Sequence, residues 1–186
     1  MKKIIVIDAS PRCNGNSKVT SDAIASKFKD SAVEVFRLRE KKVNPCLACD
    51  ACKRREVAVC VQEDDMFDLL PRLDEADALI LLTPIYFGQV TGPMKTFIDR
   101  LYCYFHPAHE RMSLAKKRGK KCLMIGFCGM GPADQYKAYL QQTVASMGVV
   151  GADECRVLLC NEVNEPGSCM QKTAFVEALY QELDTL

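Results

Sequence analysis

The sequence predicts an α/β fold: a doubly wound, five-stranded parallel sheet with helices on both faces. Three observations carry this. Strand-like and helix-like stretches alternate as five βα units joined by short connections. The run Ala78-Leu79-Ile80-Leu81-Leu82 is apolar at every position, the pattern of a strand covered on both sides. The 186 residues suffice for one domain of the larger sort, with a continuous core that needs no disulfide or metal. Right-handed crossovers leave few arrangements of such units. In the strand order 2-1-3-4-5 the chain changes winding direction between strands 1 and 3, so ligands are expected at the loops after those strands, residues 9–17 and 83–92.

The elements follow in order. Residues 2–8 are a β-branched run ending in a polar turn, and Asn16 or Ser17 is expected to cap an amphipathic helix from Lys18 to about Phe28. Residues 32–38 alternate as a second strand. A cysteine-rich segment without clear periodicity then runs to Cys60. Asp64 or Asp65 caps a helix carrying Met66, Leu69, Leu70 and Leu73 on one face, and Pro84 is expected to stop the strand that follows. Further elements are expected at 92–104 (helix), 121–127 (strand), 133–147 (helix), 154–159 (strand) and 172–183 (helix).

Composition narrows the function. With 25 basic and 24 acidic side chains there is no surplus field to attract nucleic acid or anionic lipid, so a small-molecule partner is expected, with no nucleic acid and no membrane. The apolar run after Met1-Lys2-Lys3 ends at Asp8, too short for a signal peptide, and no stretch approaches membrane-spanning length. Eleven cysteines in such a chain point to reduced thiols or metal ligation in a cytoplasmic protein.

The loop Ser10-Pro11-Arg12-Cys13-Asn14-Gly15-Asn16-Ser17 has the chemistry of a phosphate site at a helix N-terminus. Ser10 and Ser17 offer hydroxyls, Asn16 an amide, Gly15 an unhindered backbone, and Arg12 and Lys18 positive charge. Taken alone, the same residues serve equally well as turn formers and helix caps. The chain has no G-x-x-x-x-G-K-[ST] and no G-x-G-x-x-G after strand 1, which disfavours a nucleoside triphosphatase and a Rossmann dinucleotide site and leaves a mononucleotide.

This loop resembles that of a known family, together with Pro45-Cys46-x-x-Cys49-x-x-Cys52, Asp64-Asp65-Met66, Pro84-Ile85-Tyr86-Phe87-Gly88 and Met94-Lys95-x-Phe97-Ile98-Asp99-Arg100. The family is the flavodoxin-like NAD(P)H-dependent FMN reductases and quinone reductases, iron–sulfur flavoproteins included. The matches span nearly the whole chain. The resemblance implies a single flavodoxin-like domain over 1–186 with a cysteine-rich insertion at about 43–62. It implies FMN as cofactor and NAD(P)H as electron donor, with a quinone, flavin or similar small molecule as acceptor. Pro84, Ile85, Tyr86, Phe87 and Gly88 would wrap the flavin ring, which wants apolar walls and a few donors where charge gathers on reduction. By its position after the fourth strand, at the same carboxyl edge of the sheet, the loop Cys128-Gly129-Met130-Gly131-Pro132 is expected to close over the flavin, with Cys128 and Gly129 nearest. The chemistry would sit on FMN, with no catalytic side chain. The helix from Gly92 resembles a dimer-forming helix, implying a homodimer or homotetramer, and Lys95 and Asp99 within it are spaced for an ordinary ion pair.

Cys46, Cys49, Cys52 and Cys60 form C-x2-C-x2-C-x7-C, close in style to the thiolate loops that hold iron–sulfur clusters. Zinc sites usually use two separated pairs, although four thiolates could accept zinc. The resemblance implies two readings: a [4Fe-4S] cluster passing electrons to FMN from a ferredoxin-like donor, or a plain flavoprotein with a cysteine-lined loop. Cys103, Cys122, Cys155 and Cys160 fall where cysteine acts as a small core hydrophobe. His106-Pro107-Ala108-His109 has no evident carboxylate partner in sequence, and Pro107 breaks any helix between the histidines, so no metal is expected there.

Overall fold

A computed structural model describes the backbone of residues 1–186 and every side chain except that of Glu110. Five parallel strands form the sheet: β1 (Lys3–Asp8), β2 (Ala32–Arg37), β3 (Ala78–Tyr86), β5 (Lys120–Phe127) and β6 (Ala152–Cys160). The short β4 (Gln89–Val90) pairs back onto β3. Their spatial order is β2-β1-β3-β5-β6, the 2-1-3-4-5 order of the five parallel strands. The helices are α1 (Asn16–Lys27), α2 (Asp65–Glu75), α3 (Gly92–Arg100), α4 (Ala133–Ala145) and α5 (Thr173–Asp184). None among the described residues is long and apolar enough to cross a membrane.

The period of two in the strands divides the core. Ile5 and Ile7 of β1 join Leu79 and Leu81 of β3 under α2, α3 and α4, where Met66, Leu69, Leu70, Leu73, Phe97 and Leu140 are buried. Ile4 and Val6 join Ile80 and Leu82 on the other face, under α1 and α5, with Ile24, Phe175, Leu179 and Leu183. The middles of β1, β3 and β5 are therefore buried on both faces, which is why residues 4–7, 78–82 and 122–125 are apolar at every position.

Three local expectations are corrected. The N-cap of α1 is Gly15, not Asn16 or Ser17, and no side chain caps it. Asn16 is used elsewhere: its Nδ2 donates to the carbonyls of Val163 (3.5 Å) and Glu165 (3.2 Å), and its Oδ1 accepts from the Cys169 N–H (3.1 Å). Pro84 does not stop β3, which runs on to Tyr86 with Pro84 in register with Phe127 of β5. The Leu82 carbonyl faces β1, accepting from Ala9 N–H at 2.9 Å, and Pro84 faces the same way two residues on. By then β1 has turned off into its loop, so the missing N–H costs no ladder bond. The helix expected at 92–104 ends at Arg100, and residues 101–104 tighten into a 3-10 turn.

Candidate functional site

The loops after β1, β3, β5 and β6 meet at the carboxyl edge of the sheet around a cleft of ≈ 200 Å³. Ser10, Arg12, Gly15, Asn16 and Ser17 line it from the first loop, and Pro84, Ile85 and Tyr86 from the second. The two loops are tied together. Thr91 Oγ1 donates to the Ala9 carbonyl (2.9 Å) and accepts from Met94 N–H (3.3 Å), so the residue that caps α3 also anchors the start of the β1 loop. Beneath that loop, buried Asp8 accepts from the Ser10 N–H (3.0 Å) and pairs with Arg39 (2.7 Å).

The entry to α1 suits a phosphate. Its first turn carries no acidic residue, and the N–H groups of residues 14–17 have no acceptor among the described residues. Aligned free N–H groups at a helix N-terminus hold the positive end of the helix dipole and favour a dianion. Ser17 is buried at the cleft floor with a hydroxyl that has no partner among the described residues, and Arg12 stands exposed at the rim. The Asn16 side chain lines the cleft but is committed to the 163–169 segment, so toward a phosphate this residue offers its backbone N–H.

Three expected residues stand off the cleft lining. Phe87 and Gly88 form the two-residue turn between β3 and β4, both at positive φ (51° and 78°), the backbone demanded by a tight hairpin. Phe87 is fully exposed there. Cys128 is buried, its N–H donating to Cys160 O and its carbonyl accepting from Val163 N–H, and burial pushes its thiol pKa up. The backbone on either side, Phe127 and Gly129, lines the cleft instead. A Cβ at Gly129 would lie 2.0 Å from Asn164 Oδ1. Val163, Asn164 and Pro166 complete the wall. The sequence carried a signal for them, since the polar turn Asn161-Glu162-Val163-Asn164-Glu165-Pro166-Gly167 follows a strand at the edge where such sheets bind ligands.

At the far end of α3, Cys46, Cys49, Cys52 and Cys60 line one small cavity of ≈ 20 Å³ with Arg100 and Cys103. No three of these sulfurs, among the described residues, lie within 4.8 Å of one another. Four cysteines around one cavity have the donor chemistry of an iron–sulfur cluster, and four thiolates also suit zinc. Arg100 supplies countercharge. It is fully buried, bound to Asp64 at 2.6 and 3.0 Å and to the Asn44 carbonyl at 2.9 Å, and it lies against Cys60. Burial alone would push the Asp64 carboxyl up, but hydrogen bonds from Arg100, Asn44 N–H and Met66 N–H together hold it below the usual carboxylate range. Burial raises the Cys52 thiol against the opposing pull of Lys53, and raises Cys103 to about 12. Lys95 and Asp99 form the exposed pair expected of them, at 2.6 Å.

A doubly wound sheet with an open helix N-terminus at its switch point, facing an apolar second loop, defines a mononucleotide-binding flavodoxin-like domain. Residues 2–161 match the NADPH-dependent FMN reductase family, and the chain belongs to it. It is 35% identical over 150 residues to an iron-sulfur flavoprotein of Archaeoglobus fulgidus, covering 80% of this chain and 64% of that protein. It is 38% identical over 99 residues to an iron-sulfur flavoprotein of Methanocaldococcus jannaschii, covering 53% of this chain and 50% of that one. The chain thus spans less than two thirds of the length of these curated relatives. Among solved structures, the NAD(P)H:quinone oxidoreductase from Methanothermobacter marburgensis superposes with a TM-score of 0.72 at 14% identity, over 98% of this chain and 95% of that one. The fold is shared with it.

Proposed function

We propose that this chain is an FMN-dependent oxidoreductase that takes electrons from NAD(P)H and delivers them to a quinone, flavin or similar small acceptor. The observation that carries the reading is the uncapped start of α1, with Ser17 and the free N–H groups of 14–17 opening into the cleft walled by Pro84, Ile85 and Tyr86. FMN, when bound, supplies hydride acceptance and electron release at its flavin ring. The protein's own work is placement. The α1 entry would fix the phosphate, Thr91 would hold the two loops at one separation, and the apolar edge of Ile85 and Tyr86 would seat the ring against Gly129. No side chain in the cleft needs to move a proton. The test is reduction of FMN bound to the purified chain by NADPH under anaerobic conditions. Bleaching within the time of mixing supports the reading, and flavin left oxidised by both nicotinamides refutes it.

A second reading rests on a separate observation, the four cysteines around one cavity beside the buried Arg100. In it Cys46, Cys49, Cys52 and Cys60 hold a [4Fe-4S] cluster that exchanges single electrons with FMN, with a ferredoxin-like protein as donor. The relatives named iron-sulfur flavoprotein support it. Iron and sulfide near four per chain after anaerobic purification, by the four-thiolate rule, is its expected result. A pair of subunits related by α3 would suit either reading, and sedimentation measures it.

A further inference from the structure

We propose that Glu56, His106 and His109 form a binding site for a divalent transition metal of the zinc class, separate from both the cleft and the four-cysteine pocket. One ring nitrogen from each histidine and a carboxylate oxygen of Glu56 lie within 4.8 Å of one another. Two imidazoles and a carboxylate are a donor set that zinc accepts, with water in the remaining position. The sequence concealed it because the carboxylate comes from 53 residues upstream, where Glu56 reaches His109 Nε2 at 2.8 Å.

The histidines are held in place before any ion arrives. The turn is closed by His109 N–H donating to the His106 carbonyl (3.1 Å) and by His106 N–H donating to the Met112 carbonyl (3.0 Å). The two rings meet edge to face at 4.6 Å between centroids. His106 Nδ1 is out of contact with solvent and has no hydrogen-bond partner among the described residues. A buried nitrogen left unpaired costs about 1–3 kcal/mol, a cost that ligation at Nδ1 would relieve. The basic neighbour Lys53 is directed to the carbonyls of Tyr102 (2.6 Å) and Phe105 and over the Tyr102 ring, which leaves the Glu56 carboxylate facing the histidines.

The position gives the metal a task. Glu56 sits in the seven-residue span between Cys52 and Cys60, whose tip, Arg54 to Val57, is exposed. An ion shared with His106 and His109 would clamp that span to the segment after α3 and fix how Cys60 is presented to the other three cysteines.

Zinc alone is the probe. Equilibrium dialysis of the full chain against zinc should leave one more equivalent on the native protein than on the His106→Ala/His109→Ala variant. The difference should persist when Cys46, Cys49, Cys52 and Cys60 are all serine, which separates this site from the thiolates. Because Glu56 is exposed, Glu56→Gln leaves the fold intact and should weaken the extra equivalent at least about ten-fold. Zinc should slow tryptic cleavage after Arg54 and Arg55 at least about ten-fold in the native chain and leave cleavage of Glu56→Gln unchanged. Equal zinc content in all these proteins, or equal protection of Glu56→Gln, overturns the proposal.

Discussion

Replacing Asp64 by Asn removes the charge of one partner in a pair sealed in the core, together with one of its two acceptor oxygens. The single carboxamide oxygen can keep the Met66 N–H bond that caps α2, while the NH2 replaces the oxygen that accepts from Asn44 N–H and Arg100 Nη1, so the change removes Arg100's counter-ion and sets donor against donor there. Both side chains are fully buried, and stripping one partner from such a pair costs about 3–5 kcal/mol. For a chain of this size, each kcal/mol moves Tm by about 2–4 °C, so a fall of about 6–20 °C is expected. Arg100→Met gives the complementary signature in pH. In the native protein the Asp64 carboxyl lies below its unfolded value of about 3.9, so its contribution is full above that pH and is lost as pH falls through the folded value. Without Arg100 the opposition to burial weakens and the folded value rises. The variant's deficit should then be large at neutral pH and shrink on acidification toward pH 4 and below, the reverse of the native trend. Urea unfolding of the cofactor-free chain at several pH values measures both. A loss under about 1 kcal/mol for Asp64→Asn, or an Arg100→Met deficit that does not depend on pH, would refute this account of the pair.

Other outcomes follow from the same structure. Ser17→Ala removes one hydroxyl from the proposed phosphate site, where a hydrogen bond to a charged group contributes about 1.5–3 kcal/mol; FMN should bind about 10- to 100-fold more weakly by fluorescence titration, with Tm of the cofactor-free chain little changed. Gly129→Ala drives a Cβ into Asn164 and should displace the Asn164 side chain from the cleft wall, read as weaker FMN binding and as a shifted Asn164 amide resonance in NMR. Burial lowers the Lys120 amine to about 8, so the folded state holds fewer protons than the unfolded state between about pH 8 and its ordinary value. Native stability should therefore rise across that window, and urea unfolding of Lys120→Met should lack the slope.

Much of the sheet was legible because burial on both faces writes itself into sequence, as in the apolar runs of Ala78 to Leu82 and within Lys121 to Phe127. The helix α2 was legible from four buried positions that keep the helical period, and of the two candidate caps, Asp64 and Asp65, the structure uses Asp64. What escaped were facts of adjacency. That Pro84 is harmless depends on β1 ending one step earlier. That Asn16 braces the segment after β6, and that Glu56 meets His109, depends on chain contacts 147 to 153 and 53 residues apart. The cleft was half visible for the same reason. Its two nucleotide-style loops carry local chemistry, whereas the signal for Val163, Asn164 and Pro166 is only the place of their polar turn, after the strand β6 at the ligand edge of the sheet.

The helix α3 begins at Thr91, which grips the β1 loop at Ala9, and ends at Arg100, which is locked to Asp64 and lies against Cys60. At 1.5 Å per residue it is a rod of roughly 14 Å between the two regions. Because both ends are hydrogen-bonded into their loops, strain at the thiols has a stiff lever to the nucleotide end, and the register of this one helix sets the relative alignment of the chain's two candidate redox stations.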